Sequence, residues 1–484
     1  MFRLTAVVAI TVGALGVSSC TSAPADPLAR VRRAADVMGA TALASLRYEA
    51  TGSHFALGQS PRPDAPWPRF DVPSLTVEID YASSAMSLDL TRTGVEPPRG
   101  GGGQPLAGPE RRVEFVSGAF AWALHGDHPV PEPAVAAERA VQIWMSPHGF
   151  LKGALAHDTT VEEHDDGRAT VRYTVLGTHV LTGTIDAADH VERVDTTIAS
   201  PVLGDMPVVS VYDGYETFAG VRMPTRIRQA MGGFPVWDLA VTGVTPQAAV
   251  SIVAPPDVAS AAPPVPLVEL DEVEEGVHYV TGGSHHSVVI EFGDHMAIVE
   301  APLDEARAEA VIAAVRAAIP GKAIRYVINT HPHFDHAGGL RTFVAEGAIV
   351  VTHEINRPFY ERAWAAPRTL APDRLSETPR APEFITVDDW HEFTDRRRLI
   401  EVHHLAGNAH HDGLLMVWMP RERILIQADA YTPGPAALAP PARANPFSVN
   451  LFEHIHRLAW PVDVILPLHG HAATYDDLVR AVGR

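Results

Sequence analysis

The spacing of apolar positions changes along the chain, and each change marks a boundary. Leu4 to Val17 is an apolar stretch of 14 residues. That is short of the ~20 needed to span a bilayer and suits the apolar core of an export signal, with Arg3 as its positive start. Leu28, Val31, Ala34, Ala35 and Met38 recur at helical spacing, so Leu28–Leu46 predicts an opening helix. Period two then takes over. Ser74–Asp80, Met86–Thr91, Arg112–Val116, Ala169–Val175, Val180–Ile185 and Val208–Tyr212 predict strands, separated by turn residues such as Gly100–Gly103 and Asp165-Asp166-Gly167. Gln142–Leu155 fits a short helix or a strand. One helix followed by many antiparallel strands predicts a mostly antiparallel β half-barrel with a helix over residues 29–250.

Ala254 to Pro266 carries five prolines in 13 residues and predicts a stiff linker over 251–267. From residue 268 to 484 the pattern alternates as in an α/β domain. Strands are expected at His278–Thr281, Ser287–Phe292, Met296–Glu300, Ile324–Asn329, Leu399–His403, Leu414–Trp418, Ile424–Gln427 and Val464–Leu466. Helices are expected at Asp304–Ile319, Glu354–Ala365 and Phe447–Leu458.

Composition narrows the chemistry. The 484 residues carry a formal charge of −20, which repels polyanions and argues against a nucleic-acid partner. Cys20 is the single cysteine, so neither an internal disulfide nor a cysteine-rich zinc site can form. Of the 25 histidines, seventeen fall between His278 and His471.

Those histidines gather in one segment above all. Thr330-His331-Pro332-His333-Phe334-Asp335-His336-Ala337-Gly338-Gly339 follows the apolar strand Ile324–Ile328. His331 and His333 are two apart, so on extended backbone both imidazoles point the same way and can grip one metal. Asp335 and His336 come after the chain begins to turn and can face a second. Imidazole and carboxylate are zinc donors. The two glycines permit close backbone approach.

This HxHxDHxGG segment resembles the metallo-β-lactamase superfamily, and the later motifs recur downstream in order. Gly407-Asn408-Ala409-His410-His411-Asp412-Gly413 precedes a strand, and His410 matches the family's next ligand, with His411 its rival. Asp429, at the end of Ile424-Leu425-Ile426-Gln427-Ala428-Asp429, matches the bridging carboxylate, and His469 matches the histidine-glycine after the last strand. The resemblance implies an αββα sandwich over 268–484 and two metal ions. His331, His333 and His410 would hold the first, and Asp335, His336 and His469 the second, with Asp429 bridging. Zinc is the default, and iron or manganese suit the same donors. The implied activity is a binuclear metal-dependent hydrolase. A metal-bridging hydroxide would attack an ester, lactone, thioester or related bond of a small-molecule substrate, with Asp335 as the catalytic proton carrier. Tyr431 is a candidate donor to the developing oxyanion. The proline-rich loops Ala366–Phe384 and Thr432–Pro446 are expected to border the cleft. A β-lactam hydrolase is the alternative within the family. A non-catalytic lipoprotein that binds a lipid or a partner is the alternative outside it.

Val17-Ser18-Ser19-Cys20 resembles the lipobox of bacterial lipoproteins. That implies a signal peptide over 1–19, lipidation of Cys20, and a tether over 20–28. The expected address is the periplasmic side of the cell envelope, with membrane attachment through the lipid anchor. Tyr212-Asp213-Gly214-Tyr215 and Gly220-Val221-Arg222-Met223-Pro224 are weakly similar to strand repeats of lipoprotein-carrier-like domains.

Overall fold

The computed structural model describes Met1 and residues 26–95, 100–103, 105, 106, 108–434 and 444–484. Cys20, the segment expected to be an export signal and much of the loop after Asp429 lie outside the described residues. Among the described residues no helix is long and apolar enough to cross a membrane.

Among the described residues the N-terminal part is one antiparallel sheet of 13 strands, running from Ser45–Phe55 to Phe234–Pro246, and those two strands pair with each other at its middle. Three helices, Ala29–Val37, Ala136–Met145 and Pro147–Ala156, share a core with it. Val31, Ala34, Ala35 and Met38 pack there with Phe150, Leu181, Val194 and Val208. The opening helix is shorter than its apolar pattern predicts. Gly39 turns left-handed at φ +72, and the chain becomes a strand at Ser45. Gln142–Leu155 belongs to the second and third helices, separated by Ser146 in extended conformation. Ser146 caps the third, its hydroxyl accepting from Gly149 N–H. The proline-rich linker contains the short helix Pro256–Ala259, and its Ile252 and Val258 pack on Ala85 and Trp122 of the sheet.

Among the described residues the C-terminal part has two sheets, of seven and six strands. Period-two alternation divides each strand between two cores. Val288 and Ile290 face inward, to Val402, Val417 and Ile426 of the opposite sheet. Val289 and Ile298 face outward, onto Val311 and Val315 of helix Glu305–Ala318. On the far side Trp418 and Leu425 pack on Leu451 and Ile455 of helix Pro446–Leu458. The result is the four-layer αββα arrangement.

Residues 366–373 of the first proline-rich loop contact the N-terminal sheet. Arg368 donates to the carbonyls of Ser200, Pro201 and Val202, and Thr369 N–H and Oγ1–H donate to Asp205. The loop clasps the N-terminal sheet through these bonds.

Candidate metal centre

Strand Ala323–Ile328, paired on both sides within its sheet, delivers the histidine motif at its C-terminal end. His333 is extended (φ −59, ψ 147), and the one-turn helix Phe334–Ala337 starts directly after it. His331 and His333 therefore leave from extended backbone, and Asp335 and His336 from the turn. Gly338 permits the close fold-back: a Cβ there would lie 1.8 Å from the Leu303 carbonyl oxygen.

The structure brings all seven expected ligands together. His331, His333 and His410 form one group, with ligand atoms within 4.8 Å of one another, and Asp335, His336 and His469 form a second with His285. Asp429 stands between them. Its Oδ2 lies 2.8 Å from His336 Nε2, 3.6 Å from His331 Nε2 and 3.7 Å from His410 Nε2, and its Oδ1 lies 3.3 Å from His469 Nε2.

The hydrogen bonds around the first group fix its tautomers. His410 Nδ1–H donates to the Gly102 carbonyl at 2.7 Å, leaving a lone pair on Nε2. His333 Nε2–H donates to the Ser60 carbonyl at 2.7 Å, and its buried Nδ1 has no partner. Thr330 Oγ1–H donates to Glu300 Oε2, so the hydroxyl accepts from His331 Nδ1–H at 2.9 Å and His331 Nε2 also bears a lone pair. The Nε2 atoms of His331 and His410 are 2.9 Å apart. Two lone pairs at that distance repel unless a cation lies among them. The donor set therefore fits a metal ion.

The charges agree. Burial, reinforced by the neighbouring imidazoles, holds His331 well below its ordinary pKa and His333 at about 3, so both stay neutral donors. Burial also opposes charging of His336, but Asp429, Asp335 and a bond to Glu300 outweigh it and raise its pKa well above the ordinary value. Burial opposes ionisation of Asp335 too; His336 and the bond to His285 prevail and keep it well below the carboxylate range.

Two further residues stand in the site: His285, and Glu300, which the sequence predicts only as a strand end. His285 stands beside the second group, its Nε2 3.2 Å from Asp335 Oδ2. The His285-His286 pair at the mouth of an apolar strand was the available signal. Glu300 is fully buried behind both groups and accepts from His336 Nδ1–H at 3.0 Å and from Asn329 Nδ2–H at 2.7 Å. It follows the apolar strand His295–Val299 at φ +76, a left-handed conformation uncommon for glutamate. His411 is not among the first group's donors: its Nδ1 accepts from Gly413 N–H, its ring centroid lies 5.6 Å from that of His333, and its buried Nε2 has no partner. Tyr431 is buried with Leu405, Leu451 and Ile455, and Asp477 and Arg480 are the charges acting on it, so it stands with the C-terminal helices.

Residues 280–481 match the family model described as metallo-beta-lactamase superfamily. Among solved structures, a metallo-beta-lactamase from Pontibacter korlensis is 15% identical, with a TM-score of 0.35, over 45% of this chain and 97% of that one. A metallo-beta-lactamase from Hirschia baltica is 22% identical, with a TM-score of 0.34, over 44% and 96%. The rubredoxin oxygen:oxidoreductase of Desulfovibrio gigas is 14% identical, with a TM-score of 0.35, over 44% and 60%. No curated protein matches the chain. A matching family model, an αββα core and clustered histidine and aspartate donors agree: the C-terminal domain of this chain belongs to the metallo-beta-lactamase superfamily.

Proposed function

We propose that the C-terminal domain is a binuclear metal-dependent hydrolase acting on a small-molecule ester, lactone or thioester. The observation that carries this reading is the convergence of imidazole lone pairs on His331, His333 and His410, facing Asp335, His336 and His469 with Asp429 between. Two divalent ions, zinc by default with iron or manganese as alternatives, would supply Lewis-acid polarisation of a carbonyl oxygen and a water ionised near pH ~7.

The chain's own residues supply the rest. Asp335, whose side chain is 33% exposed, sits at the open rim. Gln59 and His285 hydrogen-bond its two oxygens, which holds it to orient the attacking water and carry its proton. Asp429 offsets the positive charge that both donor groups would share. Glu300 holds His336 directly and His331 through Thr330. Esters rank above β-lactams because the domain has no cysteine ligand and carries Asp429, which lactam-cleaving members of the family generally lack. In this reading a lipid on Cys20 holds the chain at the periplasmic side of a bacterial membrane, an expectation resting on Val17-Ser18-Ser19-Cys20 alone.

Metal analysis, chelation and a panel of esters, lactones, thioesters and β-lactams test the proposal. About two metal equivalents per chain are expected, with turnover abolished by chelation and by His331→Ala. A wild-type chain that binds no metal overturns it. Equal turnover by wild type and His331→Ala would favour a carrier.

A further inference from the structure

The first donor group is not completed by its own domain. Thr330 orients His331 from within the C-terminal domain, but the partners of His333 and His410 are backbone carbonyls of the N-terminal domain, Ser60 and Gly102. The same segment reaches the second group, where Gln59 Nε2–H donates to Asp335 Oδ1 at 2.7 Å.

These contacts belong to a stitched seam. Gly102 N–H donates to the Gln59 carbonyl at 3.0 Å, tying the two N-terminal segments together. Gly101 N–H donates to the Ala409 carbonyl at 2.7 Å, next to His410, and Asp412 N–H donates to the Pro61 carbonyl at 2.8 Å. Phe334 N–H donates to the Gly58 carbonyl at 3.3 Å, next to His333. Two glycines make the approach possible. At Gly58 (φ +74) a Cβ would lie 2.3 Å from Phe334 Cγ, and at Gly101 (φ +85) a Cβ would lie 2.5 Å from the Gln59 carbonyl oxygen. His333 and His410 are both 1% exposed beneath the seam, whereas the side chains of Asp335 and His469 are 33% and 18% exposed. The seam closes the first group and leaves the second as the open side.

We propose that the N-terminal domain is a working part of the metal centre. The Gly58–Ser60 segment and Gly102 hold His333 and His410 in their metal-binding tautomers, and Gln59 is a positioning residue for Asp335. This rests on the metal-dependent reading above. Outer hydrogen bonds of this kind typically account for ~10–100-fold in metal affinity.

The test uses the full chain with Gln59→Ala, Gly58→Ala and Gly101→Ala. Zinc affinity is measured by competition with a chromophoric chelator. The cobalt-substituted protein reports ligand geometry through its visible absorption, and thermal unfolding separates loss of fold from loss of the site. Each variant is expected to unfold cooperatively, bind zinc ~10–100-fold more weakly and change the cobalt spectrum. If a glycine variant fails to fold, Gln59→Ala decides, since it removes only a partly exposed amide. Affinity within about threefold of wild type and an unchanged cobalt spectrum in every folded variant overturn the inference. A wild type that binds no metal overturns the hydrolase reading first, and this inference with it.

Discussion

Glu300 Oε2 lies 3.0 Å from His336 Nδ1, and both side chains are fully buried. A carboxylate can accept from His336, Thr330 and Asn329 at once; an amide cannot. Glu300→Gln would set an N–H against at least one of those donors. The expected outcome is ~10–100-fold weaker metal binding and a loss of ~1–3 kcal/mol of stability. Chelator competition and denaturant midpoints measure the two effects. Unchanged affinity would mean that Glu300 serves packing alone.

His410 and His411 are adjacent in sequence and differ in orientation. His410 Nε2 faces His331, whereas His411 Nδ1 accepts from Gly413 N–H. His410→Ala is expected to cost at least the ~100-fold at the upper end of outer-contact effects, because it removes a donor to the metal itself. His411→Ala is expected to retain the metal. Metal content per chain after gel filtration distinguishes them, and the reverse order would assign the ligand to His411.

The legible part of the site was the part carried by local spacing. His331, His333, Asp335 and His336 lie in six residues on one strand-to-helix turn, and period two on extended backbone already aligned the first pair. His410, Asp429 and His469 each stand close to an apolar strand, which made them visible as motifs. Glu300 looked like the last residue of a strand, because its partners are Asn329, Thr330 and His336 from elsewhere in the chain. Gln59, Ser60 and Gly102 were invisible for a stronger reason. Two of them act through backbone carbonyls, which leave no trace in side-chain chemistry, and all three lie more than 200 residues from the ligands they touch. The fold divides in the same way. Alternation revealed the strands, but the short opening helix depended on the left-handed turn at Gly39.

The proposed lipid anchor rests on Cys20, which lies outside the described residues. If Val17-Ser18-Ser19-Cys20 acts as a lipobox, labelled palmitate is incorporated into the wild-type chain in a bacterial host and Cys20→Ala abolishes it. The wild-type chain is then expected in the membrane fraction and the variant in the periplasmic extract. Label that persists in the variant would refute the anchor.

Asp373 links stability to pH where the two domains meet. It forms ion pairs with Arg341 and Arg368, and its side chain is 13% exposed. Arg368 in turn holds the carbonyls of Ser200, Pro201 and Val202. Burial raises the carboxyl's pKa, but the Arg341 bond, the Ser376 bonds and the Arg341 charge outweigh it and hold it well below the usual carboxylate range. A depressed pKa means that the unfolded chain binds the proton more tightly, so this stabilisation is complete above pH ~4 and is lost as pH falls towards the folded value. Asp373→Asn is therefore expected to lower stability by ~3 kcal/mol at pH 7, with the difference from wild type shrinking below pH ~4. Thermal unfolding of both proteins between pH 7 and pH 3 measures it. A difference that stays constant across that range would show that the charge of Asp373 does not carry the effect.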